Sequence, residues 1–229
     1  MKILIACEES QRVCMAFRER GHEAYSCDVI DCSGGYPEYH IKQDVLPLLN
    51  GNCAFRTCDG AEHKITGKWD MIIAHPPCTY LSNAATRAFS LRATPADKVV
   101  DRWDKRAKAA VFFMHFALAD CDRIAIENPV GYMSTAYRKP DQVINPYQFA
   151  TSVNDTENYV TKRTCLWLKG LPKLITNDLP KPTMEKYYSY YSGRYKSKDW
   201  CTYNNTKDRA RQRSKTFKGI AKAMAEQWG

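Results

Sequence analysis

The sequence predicts an α/β protein in which a mostly parallel sheet is flanked by helices. Three observations carry that prediction. Residues 2–28 read as strand, helix, strand in quick succession, the unit that places two strands side by side and parallel. The apolar runs at residues 3–6, 69–74 and 124–127 do not alternate with polar residues and each ends at a polar or proline position, as strands covered on both faces do. Stretches with helical spacing separate the runs, and that alternation defines the class.

In chain order, residues 3–6 form the first strand. Residues 11–20 follow as a helix with Val13, Cys14 and Phe17 at helical spacing, stopped by Gly21, and residues 23–27 form a second strand that ends on Asp28. Residues 39–44 read as a third strand, and residues 69–74 as a buried one closed by His75-Pro76-Pro77. Residues 103–118 make an amphipathic helix with Ala107, Ala110, Val111, Met114 and Leu118 on one face. Residues 124–127 are a further strand, closed by Asn128-Pro129. From residue 154 to 213 the periodicity weakens and Lys, Arg, Asn and Tyr dominate, apart from a strand at 165–168. Helical spacing returns at 215–228 through Ile220, Met224 and Trp228. The expected organisation is a core over 1–153, a small basic, Tyr-rich segment over 154–213, and a helix over 214–229 that returns to the core.

A chain of 229 residues can bury one core and carry a small appendage. Lys and Arg total 34 against 25 acidic residues, and the surplus of nine suits a polyanionic partner such as nucleic acid. Neither a signal peptide nor an apolar run of membrane-spanning length is legible. The expected setting is therefore the reducing cytoplasm, with no membrane partner and with most of the ten cysteines acting as small buried apolar groups. Cys27/Cys32 and Cys53/Cys58 are each separated by four residues, looser than the usual pair in a zinc site, so no metal is expected.

Ligands of open parallel sheets sit beyond the carboxyl ends of the strands. Five polar stations fall there: Cys7-Glu8-Glu9-Ser10, Asp28, Asp44, His75-Pro76-Pro77-Cys78 and Glu127-Asn128-Pro129. Each alone has an ordinary reading. Acids at strand ends commonly cap helices, a cysteine after a rigid turn is commonly inert, and Asn-Pro is a common turn. Their succession at consecutive strand ends is less ordinary.

Pro77-Cys78 and Glu127-Asn128-Pro129-Val130 resemble the Pro-Cys and Glu-Asn-Val motifs of the cytosine-carbon-5 DNA methyltransferase family, in a short, divergent, phage-like or prophage-like form. The resemblance implies a Rossmann-like methyltransferase fold, S-adenosyl-L-methionine as cofactor, and DNA as substrate, either duplex with a flipped cytosine or single strand. It also implies a setting in a bacterial or phage-infected cell, of the restriction-modification kind. Cys78 would be the nucleophile that adds to the base, and Glu127 would protonate its ring nitrogen 3. Arg163, in Lys162-Arg163-Thr164, matches the basic residue that steadies the base. Asp28 matches the acid that holds the cofactor ribose, and Asp44 the acid near its adenine. The first turn, through Cys7, Glu8 and Ser10, and Pro76 would complete the cofactor pocket. Ser214-Lys215-Thr216-Phe217 occupies the place of the family's last motif.

The chain departs from the family in two visible ways. The first turn lacks glycine, which leaves a Ser-capped helix N-terminus to present backbone donors to the cofactor, and Thr79 stands where Gln commonly follows the nucleophile. Two other readings follow. One is an amino-methyltransferase in which His75-Pro76-Pro77-Cys78 is a variant Asn/Asp-Pro-Pro-aromatic motif. The other is a non-catalytic nucleic-acid or nucleotide binding protein on the same scaffold. Residues 79–104, with Arg87, Arg92, Lys98 and Arg102, read as a mobile loop over substrate. Tyr187, Tyr188, Tyr190, Tyr191 and Tyr195, interleaved with Lys186, Arg194, Lys196 and Lys198, suit base stacking and phosphate contact, or else a small sheet with inward tyrosines.

Overall fold

The computed structural model describes residues 1–183, 185–189, 193–197 and 209–229. Its first half runs β1 (Lys2–Ala6), α1 (Arg12–Arg18), β2 (Glu23–Asp28), β3 (His40–Lys42), β4 (Cys53–Arg56), β5 (Glu62–Ile65) and β6 (Met71–Ala74). The second half runs α2 (Ala96–Ala117), β7 (Ile124–Pro129), α3 (Met133–Ala136), β8 (Gln142–Ile144), β9 (Thr164–Lys169), β10 (Lys186–Ser189), β11 (Arg194–Ser197), α4 (Arg209–Ser214) and α5 (Lys218–Trp228).

Seven strands form one sheet in the order β3-β2-β1-β6-β7-β9-β8. All neighbours pair parallel except β9, which runs antiparallel to both β7 and β8. The chain builds outward from β1 to β3, then crosses back to lay β6 on the other side of β1. That reversal is the switch point at which open sheets of this kind leave a crevice, and the architecture is compatible with a Rossmann-like fold.

Alternation along β1 assigns its side chains to two cores. Leu4 and Ala6 face the side covered by α2 and the β4–β5 hairpin, where Phe55, Ile65, Trp69, Phe113, Phe116 and Trp167 pack together. Ile3 and Ile5 face α1 and α5, meeting Val13, Phe17, Ile220, Met224 and Trp228. Each such side chain, once buried, stabilises the fold by about 1.5–3 kcal/mol, so the apolar runs hold the strand ends in fixed relation.

Two expectations need correcting, and one element was not foreseen. Helix α2 begins at Ala96, and its buried residues are Val99, Arg106, Phe113 and Phe116, whereas Val111 is 60% and Leu118 76% exposed. The aliphatic stripe loses to the aromatic one because a phenyl ring removes more apolar area from water per residue. Within the segment set apart as 154–213, β9 is a strand of the main sheet, so only part of that segment stands outside the core. The hairpin β4–β5 left no clear pattern in the sequence, since most of its residues stay partly or fully exposed. Among the described residues, no group of three or more His, Cys, Asp or Glu is placed to hold a metal, and no helix is long and apolar enough to cross a membrane.

Candidate functional site

The ends of β6 and β7 meet first. Their register pairs Ala74 with Ile126, which sets His75 level with Glu127 and Pro76 level with Asn128. His75 Nδ1 donates to Glu127 Oε2 at 2.9 Å, and the buried Asn128 amide donates to the Pro76 carbonyl at 2.8 Å. Pro76 is buried, and Cys78 stands exposed two residues on. The Cys78 carbonyl then accepts from the amides of Leu81 and Ser82, starting a turn anchored by the buried Leu81 side chain.

The segment after Cys78 is sewn down. Tyr132 N donates to Leu81 O at 2.7 Å and Asn83 N to Val130 O at 3.2 Å. Gly131 allows this approach, since a Cβ there would run into the Leu81 carbonyl. From α2, the buried Arg106 donates Nε to Tyr80 O at 2.9 Å and lays its guanidinium 3.3 Å from the centre of the Phe89 ring. Residues read as a mobile loop therefore include a 3-10 helix at Asn83–Phe89 clamped by arginine on aromatic faces.

Burial opposes charge on both His75 and Glu127, but their mutual bond prevails. Burial disfavours the imidazolium, yet the bond and charge of Glu127 and the charge of Glu8 hold His75 above its ordinary value. Burial likewise disfavours the Glu127 carboxylate, yet the His75 bond and charge, Lys162 and a 3.4 Å bond from the Thr216 hydroxyl hold it below the ordinary value. At Cys78 desolvation raises the thiol and Glu127 adds to the rise, while Lys162 and Arg213 draw it down. Lys162 is thus the cation whose field reaches Cys78, His75 and Glu127, and its ammonium also donates to Arg213 O at 2.8 Å. Arg163 is exposed, and its field is felt at Cys165 instead.

At the end of β1 the glycine-free turn takes left-handed backbone at two ordinary residues, Cys7 (φ 60°) and Gln11 (φ 59°). Such conformations cost about 1–2 kcal/mol each for a residue with a Cβ. Offsetting contacts are present: Gln11 is buried and bonds both the carbonyl and the amide of Tyr36. The N-cap residue of α1 is Gln11, whose side chain makes no capping bond, and the carboxylate that satisfies the first-turn amides is that of Glu8 and not the hydroxyl of Ser10. The two Glu8 carboxylate oxygens accept from Val13 N at 2.7 Å and Cys14 N at 3.1 Å, so those donors are already used within the chain. Burial raises Glu8, the His75 charge and the two amides oppose the rise, and Glu127 adds to it. Ser10 is buried beside it.

Cys7, Asp28 and Asp44 do come together at the ends of β1, β2 and β3. Burial, followed by the charges of Asp28, Cys27 and Asp44, pushes the Cys7 thiol well up. Asp28 is half-buried and raised by desolvation, and Asp44 is exposed. Val29 and Ile30 lie exposed directly after Asp28. Two acceptor carboxylates beside exposed apolar side chains suit a ligand with vicinal hydroxyls and a flat apolar ring. A groove of about 720 Å³ lies on the helical flank between α1 and α5, and Cys78 does not line it.

β10 and β11 pair antiparallel with Tyr188 opposite Tyr195. Those rings meet edge to face at 5.3 Å and are 44% and 71% exposed, so this pair faces outward. Tyr190, Tyr191 and Lys198 lie outside the described residues.

No family model matches the chain, and no curated protein matches it. The arrangement must therefore be read from its own chemistry. His75, Asn128, Lys162 and Thr216 join Cys78 and Glu127 at the site; sequence reasoning placed each of the four in a polar station or motif but gave individual catalytic roles only to Cys78, Glu127 and Arg163. The available signal was positional: His75 and Asn128 each adjoin a strand end, and paired strands bring such residues face to face.

Proposed function

We propose that the chain is an S-adenosyl-L-methionine-dependent DNA methyltransferase that acts on carbon 5 of cytosine, on a Rossmann-like methyltransferase fold. The observation that carries this reading is the convergence of Cys78 and Glu127 at neighbouring strand ends, near enough for the charge of one to shift the other. A pyrimidine ring would need a nucleophile at one edge and a proton donor at another, the roles this reading gives to Cys78 and Glu127.

Cys78 Sγ adds to carbon 6 as a thiolate, which Lys162 stabilises, while nitrogen 3 takes a proton from Glu127. Asn128 fixes the Pro76 carbonyl and so the turn that aims Cys78. Carbon 5, now enamine-like, becomes the nucleophile. The cofactor, when bound, supplies an electrophilic methyl group. The carbon 5 proton passes to solvent as the thiolate is expelled, which restores the ring and returns the nitrogen 3 proton to Glu127. Asp28 and Asp44 fit the ribose and adenine ends of the cofactor, with Cys7 between the strands and Pro76 on the switch-point side. Glu8 and Ser10 help build the turn. Glu8 uses its own carboxylate on the helix amides, so they are not free for the methionine end.

The basic hairpin carrying Tyr188 and Tyr195, together with the net positive charge, supports DNA as the partner. In duplex DNA the target cytosine must leave the stack at a cost of a few kcal/mol, whereas a single strand avoids that step. One observation favours a second reading: with Glu8 occupying the first-turn amides of α1, the chain also suits a binding protein that does not transfer methyl groups. Incubation of mixed-sequence DNA with radiolabelled S-adenosyl-L-methionine decides between them. Label in 5-methylcytosine, abolished by Cys78→Ser, is the expected result. Absence of label, together with absence of cofactor binding by calorimetry, would leave the binding protein.

A further inference from the structure

We propose that His75 is a positioning residue that stores the proton Glu127 delivers to the base. The inference rests on the methyl-transfer reading and assigns the imidazole a place within it. It begins from a contrast with two other histidines, His40 and His63. His40 bonds Ser26 Oγ through Nδ1 at 2.9 Å and the Ile30 carbonyl through Nε2 at 2.9 Å. His63 bonds Tyr25 and Thr57 through its two nitrogens. Both rings are fully used in holding the fold. His75 is different: Nδ1 bonds Glu127 at 2.9 Å, whereas Nε2 is buried and has no hydrogen-bond partner. A ring kept only for packing would not leave a buried donor unpaired, because that arrangement is costly.

The surroundings suit a stored proton. Glu127 from β7 and Glu8 from the turn after β1 face the imidazole, and Lys162, ahead of β9, is the cation that opposes them. Two carboxylates against one ammonium favour the imidazolium. The ring cannot drift, since the His75 amide donates to Ala6 O at 2.9 Å and the side chain is only 9% exposed.

The step balances without any added reagent. The Nδ1–H bond breaks as the Oε2–H bond forms, and Oε2–H then breaks as N3–H forms in concert with the carbon 6–Sγ bond. The Cys78 proton leaves to solvent when the thiolate forms. On expulsion of the thiolate the N3 proton returns to Glu127 and then to His75. A carboxylate held ionised in the resting protein thereby becomes an acid only when a base is present to receive the proton.

Addition of Cys78 alone makes carbon 5 exchange its hydrogen with water, so release of tritium from DNA containing 5-tritiated cytosine reads this chemistry with no cofactor. Wild-type release should fall as pH rises through the imidazole titration. His75→Gln still donates a bond to Glu127 but stores no proton. It should lower release about 100-fold near neutral pH, the usual scale for a lost acid, and remove that limb of the profile. Nitrogen-15 NMR of the resting protein gives a readout apart from activity. His75 should titrate above free imidazole in the wild type and fall on Glu127→Gln. Tritium release by His75→Gln that matches the wild type in rate and profile overturns the role of His75 and leaves methyl transfer standing. A His75 titration unmoved by Glu127→Gln also overturns it. If the wild type neither exchanges tritium nor transfers methyl groups, the methyl-transfer reading itself fails and this role fails with it.

Discussion

At the ends of β6 and β7 side chain answers side chain, whereas at the ends of β1 and β2 side chain answers backbone. His75 Nδ1 bonds Glu127 across two strands, and Asn128 ties the two turns together. Glu8 spends both carboxylate oxygens on the amides of α1, and Asp28 accepts from Ile30 N. An acid bonded to fixed amides is held in place and has little further to do. A carboxylate bonded to an imidazole sits beside a group that can gain or lose a proton, and that half of the sheet edge is where proton chemistry is available.

Four substitutions sharpen or break this contrast. The largest effect is expected from Glu127→Ala, which strips the partner from a buried charge and should cost about 3–5 kcal/mol in urea unfolding. The sign of its pH dependence follows from both partners. His75 is raised in the folded state, so its contribution is full below the ordinary imidazole value and is lost as pH rises through the folded one. Glu127 is lowered, so its contribution is full above the ordinary carboxylate value and is lost as pH falls through the folded one. The gap between wild type and variant should be widest at about pH 5–6 and shrink toward alkaline pH. A gap that does not vary with pH would show that the pair carries no proton linkage.

Gly131→Ala comes next, at about 1–3 kcal/mol, because its Cβ must displace the Leu81 carbonyl that anchors the turn after Cys78. Denaturation and the rate of methyl transfer should fall together. Unchanged transfer would mean that the stitching does not aim Cys78. Glu8→Ala removes the acceptor of the first-turn amides of α1 and should cost about 1 kcal/mol, with Glu8→Gln restoring only the part carried by one of the two bonds. If Glu8→Gln lost methyl transfer far beyond its loss of stability, Glu8 would belong with the chemistry and the contrast between the two edges would fail. Smallest in stability is Tyr195→Ala, expected within about 0.5 kcal/mol because the ring is exposed. Filter binding to single-stranded DNA should nonetheless weaken by about 1–3 kcal/mol if the ring stacks on a base.

Much of the fold was legible because its signals are local. The runs at β1, β6 and β7 are too apolar and too short to be anything but buried strands, and Ile220, Met224 and Trp228 mark one face of α5, all buried as spaced. The inward face of α2 was less legible: Val111 and Leu118 look as apolar as Phe113 and Phe116, and only packing against Trp167 decides which stripe turns inward. At the site, Cys78 and Glu127 could be singled out because Pro77-Cys78 and Glu127-Asn128-Pro129-Val130 resemble known Pro-Cys and Glu-Asn-Val motifs. Lys162 could not be told from Arg163, since adjacent residues at the start of a strand point opposite ways and only the register of β9 settles which one faces the site.

By itself the sequence determined which segments must be buried and where the chain turns, because hydrophobic period and proline positions act over a few residues. It also placed every polar station at the end of a strand. Tertiary structure decided which stations speak to one another. The register of β6 on β7 brought His75 to Glu127 across a separation of 52 residues, and the closing segment brought Thr216 to the same carboxylate. Bonds of 3 Å between such distant residues depend on how two strands slide past each other, and no local pattern encodes that offset.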